Sequence, residues 1–243
     1  MKDLQTPFRY DFVGSFLRPE KLKEAKKNFE EGKITQDELD KITDECVSEV
    51  VAKQKAAGFH AITDGEFRRK FWHLDFMWGF EGVEHEKDGG GVQFNGEVAD
   101  LEATYLVGKV KAKVHPFVEY FKFLKQFEDE QTVAKYTIPA PAQMYQQMIV
   151  PQNIGQTRKF YATDEELIED IGKAYQDVIK QFYAAGCRNL LCSLLHLWLW
   201  FLLICLVQCI HTRLNCILHA VPYLLYLLLL RSRFVWLRVF AAC

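Results

Sequence analysis

No carboxylate side chain follows Asp177 in this chain of 243 residues, no lysine follows Lys180 and no glycine follows Gly186. The last 57 residues, Cys187–Cys243, hold five arginines, 18 leucines and six of the seven cysteines. The overall charge of −2 conceals the break. Residues 1–186 carry 25 basic and 32 acidic side chains, a net of −7, and the remainder carries +5. No global nucleic-acid footprint is visible in that distribution, so no nucleic-acid partner is expected. Six cysteines at irregular spacing make neither a disulfide framework nor a zinc framework. The one upstream cysteine, Cys46, falls on a helix face and suits a reducing, cytoplasmic setting. Met1–Tyr10 is polar and mixed, unlike a signal peptide. Asp88-Gly89-Gly90-Gly91 is too irregular for a phosphate loop, and no Walker motif accompanies it.

Two readings of the tail compete. In the first it is a membrane hairpin, since Asn189–Ile210 approaches the roughly 20 residues that a bilayer requires. Ala220–Leu230 is short for a second span. The chain would then be a membrane-anchored, non-enzymatic binding protein, with a membrane as partner only if the tail is genuine. In the second, the tail is out-of-frame translation. An excess of Leu, Cys, Arg, Ser and Trp without Asp, Glu, Lys or Gly fits this better. The tail also begins inside an expected strand rather than at a linker. The chain therefore divides into residues 1–189, an ordered α/β part, and 190–243, an aberrant Leu- and Cys-rich tail.

Before the break the pattern is strand–helix. Phe12–Phe16 reads as a short buried strand interrupted by Gly14, and Pro19 opens a helix with Leu22, Ala25 and Phe29 at helical spacing. Thr35-Gln36-Asp37-Glu38 is a capping box. Its helix carries Leu39, Ile42, Cys46, Val50 and Val51 on one face and ends at Ala57-Gly58. Ala61-Ile62-Thr63 then reads as a buried strand, broken by Asp64-Gly65-Glu66 and followed by Arg68-Arg69. A buried strand that delivers acids and guanidinium groups at its end is the pattern of a catalytic edge in a parallel α/β protein. A strand-end turn with a local Glu–Arg pair, or a solvated arginine pair, fits the same residues. Residues 71–115 predict an antiparallel excursion over the mouth of the sheet, with Asp88–Gly91 as a turn. The aromatics Trp72, His73, Phe76, Trp78 and Phe80 form either a lid or a satellite core. His115-Pro116 opens another helix. Val133–Ile138 reads as a third strand running into a shaped loop at Pro139-Ala140-Pro141-Ala142. Thr163 caps a long amphipathic helix closed by Gly186, and a fourth strand starts at Cys187. Three and a half strand–helix units with one insertion make half of an eight-fold barrel or a partial open sheet.

Four segments, in order over residues 6–189, resemble the catalytic half of cobalamin-independent methionine synthase, and most closely its short bacterial paralogues. They are Val13–Pro19, Thr63–Arg69, Thr137–Pro141 and Tyr183–Cys187. The resemblance implies a (β/α)8 TIM barrel of which only the N-terminal half is represented, with an antiparallel β insertion at about 71–115. It implies methyl transfer from 5-methyltetrahydrofolate or a related donor to homocysteine or another thiol, giving methionine. It also implies zinc, which deprotonates the thiol. By the same resemblance Val13, Gly14 and Ser15 contact the amino-acid part of the substrate, and Glu66 binds its ammonium group. Asp64 and Arg68 support Glu66, and the segment containing Pro139, Ala140, Pro141 and Gln143 lies near the folate.

The sequence departs from the family at Phe12, where short members often carry histidine. It departs more seriously at Leu190-Leu191-Cys192-Ser193, where the family has an acidic motif. The zinc ligands belong to the half that does not follow, so none of Cys205, Cys209, His211 and Cys216 is assigned to metal, and an inactive chain is expected. A decarboxylase on a uroporphyrinogen-type barrel, needing no metal, fits less well because of Asp64–Arg69. Translating the gene in all three frames beyond the codon for Gly186 tests the tail. An acidic strand motif followed by spaced His, Cys, Glu and Cys in another frame is expected. Stop codons throughout the other frames would establish the tail as genuine.

Overall fold

A computed structural model describes residues 12–94 and 97–193; most of the tail, including the cysteines and histidine considered above for metal, lies outside them. Three strands form a parallel sheet in the order β1 (Ala61–Ile62), β4 (Val133–Pro139) and β5 (Asn189–Ser193). Ser15 joins this edge through an isolated parallel bridge to Gly65. The four chain segments thus lie side by side in sequence order, each joined to its neighbour by a crossover of the length that parallel pairing needs. β5 stays in register with β4 as far as Pro139 opposite Ser193, so the first residues after 189 continue the sheet.

The crossovers are helical. α1 (Glu20–Glu30) and α2 (Gln36–Ala56) lead into β1. The capping box is present: Glu38 N donates to the Thr35 hydroxyl, and the Glu38 carboxylate accepts from Thr35 N at 2.8 Å. The buried face of α2 is Thr43, Cys46, Val47, Val51 and Gln54, rotated from the expected one; the Thr43 hydroxyl donates to Leu39 O within the helix, while Gln54 bonds Thr63 after β1. α4 (Pro116–Lys125) precedes β4, and α7 (Asp164–Ala184) precedes β5 with Leu167, Ile171, Tyr175, Val178 and Phe182 buried.

Several expectations are corrected. Phe12–Phe16 is not a buried strand: of Val13, Gly14 and Ser15 only Gly14 is buried, and Phe16 N to Gly65 O is its bond to the sheet. Pro139–Ala142 is not a loop. β4 runs through Pro139, and α5 (Pro141–Ile149) starts with Pro141 at a position where a missing N–H costs nothing. α6 (Pro151–Thr157) follows, and neither short helix was expected. Asp88–Gly91 is not a turn but lies inside β2 (Glu81–Phe94), which pairs antiparallel with β3 (Glu97–Lys111) across a register shift between Lys87 and Gly91. The hairpin packs against α5, α6 and α7. Asn153 donates to Thr104 O, and the Tyr161 hydroxyl accepts from Val110 N.

Of the aromatics after Arg69, Phe76 and Phe80 are core, Trp78 packs against it, and Trp72 and His73 are half-buried. Phe76, on α3 (Leu74–Met77), and Phe80 are fully buried among His115, Phe117 and Tyr175. His115 is buried with both ring nitrogens used. Nε2 lies 2.9 Å from Phe76 O, and Nδ1 accepts from Phe117 N. That pairing requires the neutral ring with its proton on Nε2. Burial, first of all, lowers the His115 pKa to about 4, against the pull of the Phe76 carbonyl, and burial likewise lowers His73 to about 4. The unfolded chain therefore takes up these protons first as pH falls. Stability should be complete above the ordinary histidine range near 6.5 and decline toward pH 4. Thermal melts across that range check this, and His115→Gln should flatten the decline.

Candidate functional site

Asp64-Gly65-Glu66-Phe67 turns the chain at the end of β1. Gly65 and Glu66 both take positive φ, 66° and 58°, and Phe67 N bonds Asp64 O, as in a type I′ turn. The second of those positions favours glycine or asparagine. Among the described residues Glu66 is the non-glycine residue in the left-handed region, a conformation that persists only where its surroundings hold it.

The holding groups come from three elements. Gln54 on α2 is 2 % exposed and clamps Thr63 from both sides, donating to Thr63 O and accepting from Thr63 N, each at 2.8 Å. It acts as a neighbouring strand would. The Thr63 hydroxyl donates to Gly14 O at 2.7 Å. The Asp64 carboxylate caps the turn by accepting from Glu66 N at 2.9 Å. The Glu66 carboxylate then meets β4. Its Oε1 accepts from the Thr137 hydroxyl at 2.9 Å and from Arg69 Nη1 at 3.1 Å. Both bonds go to the same oxygen.

Arg69 is not part of a solvated pair. It is 2 % exposed, and its guanidinium reaches Glu66, Thr137 O and Trp72 O. It lies over the rings of Phe117 and Tyr136 at 4.7 and 5.3 Å. Burial works against its charge, but Tyr136, Glu66 and Asp64 together outweigh burial and hold its pKa above the usual value. Burial, then the Asp64 carboxylate, push the Tyr136 hydroxyl well above an ordinary phenol. Arg68 turns the other way. It pairs with Asp44 on α2 and lies over Tyr120 and Phe123, away from Glu66.

The remaining expected residues are placed as follows. Gly14 packs directly on the cluster: a Cβ there would sit 2.7 Å from Thr137 Oγ1 and 3.5 Å from Glu66 Oε1. Val13 and Ser15 have exposed side chains on either side of it. Pro139, Ala140 and Pro141 are buried at the end of β4, and Gln143 N bonds Ala140 O in the first turn of α5. The structure therefore brings Gly14, Asp64, Glu66, Arg69 and Thr137 together, with Arg68 outside the group. Glu66 and Arg69 stand three residues apart, and a cation at that spacing from a buried acid was the signal for Arg69. Gln54 gave none beyond being a polar residue on an apolar helix face.

Among the described residues no three His, Cys, Asp or Glu side chains converge as metal ligands, so these residues do not fit a zinc centre. Among them, too, no helix is long and apolar enough to cross a membrane.

Gly14→Ala should lower stability by about 1–3 kcal/mol, the usual cost of forcing a methyl group into a packed contact. Urea denaturation measures it, and an unchanged midpoint would show that Gly14 and Thr137 are not closely packed.

No family model matches the chain. Two uncharacterised proteins of Bacillus subtilis do. YxjH is 36% identical over 189 residues, covering 78% of this chain and 48% of the relative. YxjG is 36% identical over 186 residues, covering 76% and 47%. A methionine synthase of Sulfurisphaera tokodaii is 26% identical over 182 residues, covering 72% and 48%. The chain thus spans about half the length of the curated relatives it matches. A Listeria monocytogenes structure assigned as a vitamin-B12-independent methionine synthase superposes with a TM-score of 0.62 at 34% identity, over 78% of this chain and 52% of that one. A B12-independent methionine synthase from Shewanella sp. W3-18-1, solved with selenomethionine, shares the fold at a TM-score of 0.50 and 22% identity, over 65% of this chain and 43% of that one.

Proposed function

We propose, for a chain homologous to the cobalamin-independent methionine synthases, that the described residues form the amino-acid-recognising part of a methyltransferase barrel. The family reaction we assign is methyl transfer from 5-methyltetrahydrofolate or a related donor to homocysteine. The parallel segments at Ser15, β1, β4 and β5 are read as the first four strands of a (β/α)8 barrel, with the β2–β3 hairpin as its insertion. Residues 190–243 are read as mostly out of frame.

The observation that carries this reading is the state of the Glu66 carboxylate. It is held in a strained backbone conformation at a strand end, and both of its hydrogen bonds fall on Oε1. The residue is nearly buried yet not sealed. Oε2 is the oxygen left for an incoming donor, and a charged donor at such a carboxylate makes the stronger kind of hydrogen bond. A substrate ammonium group meets that requirement. The turn at Val13-Gly14-Ser15 lies beside it and offers backbone groups to the rest of the amino acid. Asp64 acts by holding the turn. Pro139–Gln143, at the end of the neighbouring strand, is assigned to the side facing the methyl donor. Arg68 has no part in it, since it is engaged by Asp44.

Methyl transfer to a thiol needs a thiolate, and the departing amine needs a proton. The described residues do not fit the zinc that would supply the first, and we assign them no step beyond binding and orientation.

Calorimetric titration with L-methionine and L-homocysteine tests the reading. Binding is expected, and Glu66→Gln should weaken it about tenfold or more, the cost of a charge-assisted hydrogen bond. Equal binding by the Glu66→Gln protein would overturn it.

A further inference from the structure

We propose that Arg69 is the positioning residue of this site: its buried guanidinium holds Glu66 so that one carboxylate oxygen is tied down and the other faces the ligand. The proposal rests on the reading that Glu66 receives an ammonium group, and it adds the group that decides how Glu66 presents itself. Three observations carry it.

The first is the fork. Nη1 reaches Glu66 Oε1 and Trp72 O at 3.1 and 3.2 Å, while Nη2 reaches the Thr137 carbonyl on β4. A planar guanidinium satisfies acceptors in several directions at once, and a lysine ammonium at the end of a flexible stem does not reproduce that geometry. The second is the packing. The guanidinium is covered by Phe117 and Tyr136, so its position is set by rigid rings and not by solvent. The third is the backbone. The Arg69 carbonyl accepts from both Arg18 and Lys26, at 2.9 and 2.7 Å, which pins the residue from the α1 side. The segment after the turn is thus fixed at main chain and side chain together. Glu66 sits at a φ of 58°, which the backbone alone disfavours. What holds it is the Asp64 cap at its N–H and the Arg69 and Thr137 bonds at its carboxylate.

The consequence is a selectivity, and it is testable on the intact chain. The probes are L-methionine and its des-amino analogue, which differ only in the group that Glu66 would bind. The wild-type chain is expected to prefer methionine. Arg69→Lys, which keeps the charge and loses the fork, should lower that preference about tenfold while leaving affinity for the des-amino analogue unchanged. Combining it with Glu66→Gln should cost no more than Glu66→Gln alone, because both act through one carboxylate. Phe117→Leu removes the ring beside the guanidinium without touching a polar group. It should shift the preference in the same direction, and it serves if the lysine variant does not fold. A merely structural Arg69 predicts that both ligands weaken together; that result, or unchanged preference in both variants, overturns the proposal. A wild-type chain that does not prefer methionine overturns the reading of Glu66 and this proposal with it, whereas a preference indifferent to both variants overturns only the role of Arg69.

Discussion

The Glu66–Arg69 ion pair is the contact on which the arrangement around it depends. Two charges taken out of water are costly, and removing one partner of a buried pair typically costs about 3–5 kcal/mol because the other is left uncompensated. Here the cost is met by geometry. The Arg69 fork finds carbonyls at Trp72 and Thr137 as well as the carboxylate, and Glu66 finds the Thr137 hydroxyl as well as the guanidinium. The pair therefore does more than neutralise charge. It joins the turn after β1 to β4 at the edge where Gly14 also arrives, and a methyl group at Gly14 would collide with the same threonine.

This explains why the local sequence tolerates a glutamate where a glycine would be easier. In a type I′ turn both central residues need positive φ, which L side chains disfavour. Gly65 meets the requirement without strain, while Glu66 is held there by Asp64, Arg69 and Thr137. Strain of this kind persists where the surroundings over-determine a residue. The surroundings here include the Gln54 clamp on Thr63, which stops the strand end from slipping, and the two cations on the Arg69 carbonyl. Lys26 is one of them, and burial followed by the charge of Arg18 lowers its pKa to about 8. Both cations reach the Arg69 carbonyl at once.

Much of the fold could be read from the chain, and the places where it could not have physical causes. The capping box at Thr35, the crossover helices and the antiparallel excursion all follow from local pattern, and they are present. Pro139–Pro141 misled because two prolines suggest a loop. One of them ends a strand, where no further donor is needed, and the other begins a helix, where its missing N–H is harmless. The glycine run at Asp88–Gly91 misled because a register shift within a hairpin uses the same freedom as a turn. At the site, the carboxylates and Gly14 stood out as a strand-end motif. Arg68 and Arg69 looked alike, and only tertiary packing separates them. One faces α2 and Asp44, the other faces inward to Glu66. Which side of a turn a residue takes depends on φ at Gly65 and Glu66, and no local propensity encodes that.

The chain spans about half the length of its relatives, and the Glu66 cluster lies wholly within its described residues. Gly14, Gln54, Thr63, Asp64, Glu66, Arg69 and Thr137 all lie between residues 14 and 137, and they are linked to one another by hydrogen bonds. A parallel α/β arrangement makes this natural, because each strand end is anchored by its own crossover before the next strand is added. Recognition built on adjacent strands is completed early in the chain. Chemistry that draws ligands from strands further round a barrel is completed last. On the proposed reading, what recognises the amino group is a set of residues between 14 and 137, independent of any group on a later strand.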